Sequence, residues 1–191
     1  MGKQNPDLDK FVDLLEKGVV GLLGERNAEL KIKTSGKKRL RIIEYDGKMR
    51  ADGMEKFNNE PTYVSAINYY ANKADMEKKK TLGTIVVYVE QNYMTKMMRL
   101  LQYPPVDDEN EDALQDSCGT LCNILAGRFK SEISNAGYIE LEMSHFIVSR
   151  NNVVPGVNFC FTEFDKYEIV FDIDGGKHLV IEITVGVVPK R

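Results

Sequence analysis

At the centre of the chain lies the sequence DSCGTLCNILAGRF, residues 116–129. With about 100° between successive residues of a helix, the apolar residues in and around this segment fall on one side. These residues are Leu114, Cys118, Leu121, Cys122, Leu125 and Phe129. The pattern predicts a helix from about Asp108, where Glu111 supplies the acid of a capping box, to Ser134, with Gly137 in the left-handed position after its end. We expect the apolar side of this helix to pack on a sheet.

The opposite side of the predicted helix is polar and almost uncharged. It carries Asp116, Thr120, Asn123 and Gly127, with Gly119 and Ala126 on its flank. A glycine inside a helix costs about 1 kcal/mol relative to alanine. Gly119 and Gly127 therefore indicate that another backbone or a partner approaches this side closely. A solvated helix face, with glycines that serve internal packing, is the alternative that the spacing leaves open.

The segment before this helix contains further helices and strands. Helical spacing of apolar residues predicts a first amphipathic helix from Asp7, as N-cap, to Gly24. Residues 63–70 and 82–90 are rich in β-branched and aromatic residues, which is typical of strands, and they are expected to pair. Residues 93–101 are predicted to form a second helix, which ends before a pair of prolines.

Residues 31–59 are highly charged and contain Asp46-Gly47 between two short apolar runs. Asp-Gly between such runs predicts a hairpin turn. We interpret the segment as a peripheral hairpin insertion.

The C-terminal third is predicted to consist of strands. Residues 167–173 and 179–187 alternate in polarity around the link 174–177, which indicates an antiparallel hairpin, and residues 157–164 are predicted to form a third strand. The fold class is therefore α+β, with a mixed, largely antiparallel sheet and long amphipathic helices on one face, in a single domain over residues 1–191. The alternation in 179–187 also suggests an edge strand that would need a partner or a cover.

Composition excludes several classes of function. The longest apolar stretches are far shorter than the roughly 20 residues that span a bilayer, so no membrane association is expected. The three cysteines, Cys118, Cys122 and Cys160, are an odd number, which argues against a disulfide framework and fits a reducing cytosol. His145 and His178 are the chain's two histidines, and we predict no metal site.

Nucleic acid is not predicted as a partner. The net charge is −3, which gives no overall attraction for a polyanion. A local basic hairpin that touches nucleic acid is the alternative, and its residues would be Lys37, Lys38, Arg39, Arg41, Lys48 and Arg50. Tyr45 is the only aromatic residue near them, and the same insertion also carries four acids, Glu44, Asp46, Asp52 and Glu55. A solvated hairpin therefore explains these charges more simply.

Residues 116–129 resemble the signature helix of the CheX/CheC family of chemotaxis phosphatases, in which an acid is followed three residues later by Asn and then by Ala-Gly. Gly119, Asn123, Ala126 and Gly127 match this pattern, whereas Thr120 stands at the position of the acid. The predicted order of elements from about residue 7 to residue 188 also resembles CheX, which has a single signature helix.

The resemblance implies a function. The substrate would be a phosphorylated CheY-type receiver domain, whose phosphoaspartate and Mg²⁺ belong to the partner, so this chain would need no cofactor of its own. Asn123 would be the catalytic residue that holds the attacking water, and Asp116, Gly119, Thr120 and Gly127 would contact the partner. The family's acid pairs with a lysine of the receiver, and Thr120 offers only a neutral hydroxyl. The resemblance also implies a cytoplasmic homodimer.

Two interpretations follow from Thr120. The protein is either a phosphatase weakened by loss of the acid or a non-catalytic module that binds a receiver or another chemotaxis component.

Overall fold

The computed structural model describes residues 4–150 and 153–191. The helices in this part of the chain are α1 (Leu8–Arg26), α2 (Lys73–Glu77), α3 (Met94–Leu100) and α4 (Glu111–Asn135). The strands are β1 (Ile32–Arg41), β2 (Glu44–Tyr45), β3 (Lys48–Asp52), β4 (Thr62–Tyr70), β5 (Gly83–Glu90), β6 (Glu142–Met143), β7 (Ile147–Arg150), β8 (Val153–Val157), β9 (Asp165–Ile173) and β10 (Gly176–Val185). None of these helices is both long and apolar enough to cross a bilayer.

Among the described residues, seven strands form a large sheet in the order β1-β9-β10-β5-β4-β6, with β7 also paired to β4. All of these pairings are antiparallel. The buried apolar residues of α1 and α4 pack with those of one sheet face in a single core. The predicted α+β class, with long helices on one face of a largely antiparallel sheet, is confirmed.

Two predicted turns are confirmed as two-residue hairpin connections. Asp46 and Gly47 join β2 to β3 with φ of 51° and 72°. Asp174 and Gly175 join β9 to β10 with φ of 52° and 88°. Positive φ at both central residues matches the twist of paired strands, and Asp-Gly is a favoured pair for it.

The first predicted helix has slightly different ends. It runs two residues past Gly24 and begins directly after Asp7. The carboxylate of Asp7 does not cap the helix; it accepts a hydrogen bond of 3.1 Å from the hydroxyl of Tyr138, which follows α4. Asp7 therefore ties α1 to the end of α4.

The segment predicted as a peripheral insertion is divided between two sheets. Its first part is β1, which pairs with β9 at the edge of the large sheet. Charged side chains on an edge strand protect it from pairing with other chains. One of these side chains, Lys37, also joins the strand to α1 through ion pairs of 2.8 Å with Asp13 and 2.7 Å with Glu16. The charge that suggested an insertion belongs to an edge strand.

The second part of this segment covers the other face of the large sheet. Strands β2, β3 and β8 form a small three-stranded sheet. Apolar residues between the two sheets make a second core, which was not predicted. It contains Met49, Ala51, Phe57, Val64, Ala66, Val86, Tyr88, Val157, Phe159 and Val180.

Two predictions for the C-terminal strands are wrong. β10 is not an edge strand, because it lies between β9 and β5 and its residues from Leu179 to Val185 are buried. Residues 158–164 do not form a strand. The carbonyl of Asn158 instead accepts hydrogen bonds from the side chains of Asn68 (2.8 Å) and Thr84 (2.6 Å), and Phe159 enters the second core.

A buried ion cluster joins the small sheet to the large one. Lys56, just after β3, contacts Glu182 of β10 at 2.7 Å and Glu168 of β9 at 2.5 Å. Lys166 and the hydroxyl of Tyr88 contact the other oxygen of Glu182 at 2.8 and 2.6 Å. Burial raises the pKa of Glu182, but the two ammonium groups outweigh it, so this pKa lies below its ordinary value. Ionised Glu182 is therefore stabilised in the folded protein.

Candidate functional site

Helix α4 has well-defined ends. The side chain of Asn110 accepts a hydrogen bond of 3.0 Å from the amide of Ala113, so Asn110 is the N-cap and the helix begins later than predicted. Glu111 and Asp112 in the first turn favour this end electrostatically. Gly137, with φ of 92°, follows the C-terminus as predicted.

The predicted core side of α4 is confirmed. Its six apolar residues are all buried: Leu114, Cys118, Leu121, Cys122, Leu125 and Phe129. The hydroxyl of Tyr69 in β4 donates a hydrogen bond of 2.9 Å to the carbonyl of Ala126, which fixes the helix on the sheet. Burial raises the pKa of Cys122 to about 12, so this cysteine is an unreactive thiol at neutral pH.

The outer face of α4 consists of Asp116, Thr120, Asn123 and Gly127. Asn123 and Asp116 are exposed, and Thr120 and Gly127 are half-buried. Within residues 4–150 and 153–191, the side chains of Asp116, Thr120 and Asn123 form no hydrogen bond or ion pair. The Asn123 amide is therefore free both to donate and to accept hydrogen bonds with an incoming molecule.

The spacing along the outer face determines which groups can act together. Thr120 lies about 4.5 Å before Asn123 along the helix axis, so one small molecule can contact both. Asp116 lies a further turn away, about 6 Å before Thr120. Its carboxylate therefore shares the outer face with Thr120 but lies one helical turn farther from Asn123.

The two glycines have different surroundings. A Cβ on Gly119 would lie 2.1 Å from the ring of Phe146, so this glycine is buried beneath an aromatic side chain of the same protein. A Cβ on Gly127 would meet nothing within 4 Å. The close approach inferred from Gly119 is real, but it comes from within the chain. Gly119 therefore differs from the expectation that it contacts a partner directly, whereas Gly127 faces open space.

The other flank of the outer face is formed by α1. Gly18 of α1 allows the side chains of Arg128 and Glu132 to pack against its backbone. The guanidinium of Arg128 donates hydrogen bonds of 2.8 and 3.2 Å to the carboxylate of Glu25 in α1. Helix α4 thus contacts both α1 and the sheet, and these contacts set the position of Asn123.

Phe146 and Arg128 were missed by the sequence analysis. Phe146 begins the short apolar run Phe146-Ile147-Val148, and no spacing rule connects it to Gly119. Arg128 could have been found, since it directly follows Ala126-Gly127 and precedes Glu132 by one helical turn.

The outer face offers three groups that can form hydrogen bonds: the carboxylate of Asp116, the hydroxyl of Thr120 and the amide of Asn123. In the part of the chain that the structure describes, no three His, Cys, Asp or Glu side chains are grouped so that they could hold a metal ion. An amide and a hydroxyl on a rigid helix can orient a water or a partner's polar group. This chemistry suits a reaction whose reactive groups belong to a partner.

Comparison with protein-family models and with curated proteins gives no match. Solved structures do match. A CheC-like superfamily protein from Shewanella sp. PV-4 is 16% identical with a TM-score of 0.57, over 91% of this chain and 95% of that chain. The chemotaxis protein CheX from Vibrio vulnificus is 15% identical with a TM-score of 0.56, over 91% and 97%.

A third similar structure contains a partner. It is the complex of CheX with CheY, BeF₃ and Mg²⁺ from Borrelia burgdorferi, at 11% identity and a TM-score of 0.56, over 94% of this chain and 98% of that chain. At these identities the comparison establishes the fold. This chain has the fold of the CheX/CheC-like chemotaxis proteins.

Proposed function

We propose that this protein binds a phosphorylated CheY-type receiver domain and slowly hydrolyses its phosphoaspartate, with Asn123 as the catalytic residue. The observation that carries the proposal is the exposed Asn123 amide, which has no partner among the described residues and lies at the centre of the outer face. The fold is shared with a CheX that was solved in complex with CheY.

The proposed reaction places limited demands on this chain. Water attacks phosphorus, the bond from phosphorus to the aspartyl oxygen breaks, and inorganic phosphate leaves the regenerated carboxylate. Mg²⁺ on the receiver neutralises charge on the phosphoryl oxygens. The Asn123 carbonyl accepts a hydrogen bond from the attacking water, and its amide nitrogen donates one to the phosphoryl group. Holding the water in line is the catalytic contribution.

Thr120 makes a second function a real alternative. A threonine hydroxyl is neutral and cannot form the ion pair that the family's acid forms with the receiver's lysine. A protein that retains the docking surface but fails to hold the attack geometry would be a receiver-binding or adaptor module without phosphatase activity. Thr120 favours this second function, whereas Asn123 favours the first.

The experiment that tests the proposal is phosphate release from receivers of the same organism, each phosphorylated with acetyl phosphate and Mg²⁺. Adding this protein is expected to accelerate release from at least one receiver. The second function predicts that a receiver binds in its beryllofluoride-activated form while its dephosphorylation rate stays unchanged. If no receiver binds, the phosphatase function and the receiver-binding function are both wrong.

The same resemblance leads us to propose a cytoplasmic homodimer. β10 lies inside the large sheet, so a strand-mediated contact would use an edge strand: β1 or the β6 and β7 side of the large sheet, or β2 or β8 of the small one. Light scattering of the purified protein measures the mass directly, and a monomeric mass would refute the dimer.

A further inference from the structure

Phe146 lies beside the outer face in a notch made by Gly119. Three atoms of its ring would lie 2.1, 2.3 and 2.5 Å from a Cβ at position 119, so the ring occupies the space that any other residue would fill. Phe146 comes from the connection between β6 and β7, whereas Gly119 belongs to α4. The absence of a side chain at Gly119 thus determines where this ring lies.

The notch brings the ring close to Asn123. Gly119 precedes Asn123 by one helical turn, about 6 Å along the axis, and lies about 40° from it around the helix. Arg128 and Glu25 border the other flank. The outer face therefore has an aromatic wall on one side and an ion pair on the other. Phe146 packs against the main core but is only partly buried, so it retains some contact with solvent.

We propose that Phe146 is a specificity-determining contact through which this protein docks a receiver beside the phosphoaspartate. The inference rests on the proposed function. Thr120 removes an electrostatic contact from the outer face, so binding free energy must come from other groups. Aromatic side chains are frequent hot spots of protein interfaces, because they bury a large apolar area with few rotatable bonds. Phe146 is already fixed by Gly119, so little conformational entropy is lost on docking.

The occupant that fits this wall is an apolar side chain on the receiver surface next to its phosphorylated aspartate. Apolar contacts are insensitive to salt, unlike contacts between exposed charges. Docking of the native protein should therefore change little when the ionic strength rises.

The test compares Phe146→Ala with Phe146→Leu and with Tyr167→Ala as the matched control. Tyr167 is also a partly buried aromatic that packs against the main core. Phe146 directly precedes β7, which pairs with β4, whereas Tyr167 lies in β9, and β10 and β5 separate β9 from β4. Three quantities are measured for each variant: the Kd for the receiver activated with beryllofluoride and Mg²⁺, the KM and kcat for phosphate release, and the thermal midpoint.

We expect Phe146→Ala to raise Kd and KM about tenfold or more, with kcat at saturation within about twofold. Phe146→Leu should recover part of the affinity, and Tyr167→Ala should lower the thermal midpoint without changing Kd. An unchanged Kd in Phe146→Ala, or an equal loss of affinity in Tyr167→Ala, would overturn the inference.

Gly119→Ala with and without Phe146→Ala separates docking from folding. Alanine at 119 displaces the ring, so this variant should lose both stability and affinity. Adding Phe146→Ala removes the clash, so the double variant should cost less stability than the sum of the single changes. Its Kd should nevertheless stay as high as in Phe146→Ala. Recovery of native Kd in the double variant would contradict the proposed contact. A Phe146→Ala protein that binds a receiver as tightly as the native protein contradicts only this inference. Failure of the native protein to bind any receiver contradicts the proposed function.

Discussion

Replacing two glycines of the same helix by alanine is expected to shift stability in opposite directions. At Gly127 the new methyl group meets nothing within 4 Å, so the change gains helix propensity of about 1 kcal/mol. At Gly119 the same gain is opposed by a clash, because the new Cβ would lie 2.1 Å from the Phe146 ring. Carbon atoms in favourable contact are about 3.5 to 4 Å apart, so the ring must move by more than about 1 Å.

The magnitude follows from these two terms. Overpacking costs about 1 to 3 kcal/mol, and a clash with three ring atoms places Gly119→Ala near 3. After the gain in helix propensity of about 1 kcal/mol, the net loss is about 2 kcal/mol. The two variants should therefore differ by about 3 kcal/mol, or about 6 to 12 °C in thermal midpoint for a chain of this size. Urea unfolding followed by circular dichroism measures the difference. Equal stabilities for Gly119→Ala and Gly127→Ala would refute the placement of Phe146 on the helix.

Three further substitutions test the core, the ion cluster and the outer face. Leu125→Ala should destabilise by about 2 to 5 kcal/mol in urea unfolding, because the side chain is fully buried. Glu182→Gln should cost about 3 to 5 kcal/mol, because it leaves Lys56 and Lys166 without their shared carboxylate. The folded-state pKa of Glu182 lies below 4.5, so its contribution is present above that pH and is lost as the pH falls through the folded-state pKa. Unfolding at a series of pH values should therefore bring native protein and Glu182→Gln closer together at acid pH, and a constant difference would be inconsistent with this. Thr120→Glu should accelerate phosphate release in a manner that weakens with salt, and a rate no higher than native, with binding intact, would favour the adaptor function.

The two sides of α4 were predictable because their signal is local. Helical spacing assigns each residue to a side wherever the helix begins, so the later start at Asn110 changed no assignment. The same holds for the hairpin at Asp174-Gly175, where the turn residues specify the connection. The exposed position of Asn123 and the buried position of Leu121 both follow from this spacing.

The sheet order was not predictable, because it depends on contacts between distant segments. Glu182 has the alternation of a solvent-facing residue, yet it is buried, and Lys56 and Lys166 neutralise its charge there. A polar residue in a strand therefore does not distinguish an exposed edge from a buried centre. The charged sequence of β1 led to a different error. It suggested an insertion, but charged residues are equally typical of edge strands. The contact between Gly119 and Phe146 was not predictable either, because no sequence pattern indicates that these two segments meet.

Phosphate release at saturating concentrations of this protein decides most directly whether Asn123 positions the attacking water. The comparison is between the native protein and Asn123→Ala, with the Kd for the beryllofluoride-activated receiver and the thermal midpoint measured alongside. Since the side chain is exposed and has no partner among the described residues, Asn123→Ala should leave the thermal midpoint unchanged. The measured Kd sets the concentration at which each form of the protein saturates the receiver. The rate should fall to that of the receiver alone. An Asn123→Ala protein that releases phosphate as fast as the native protein at saturation would contradict the proposed role of Asn123.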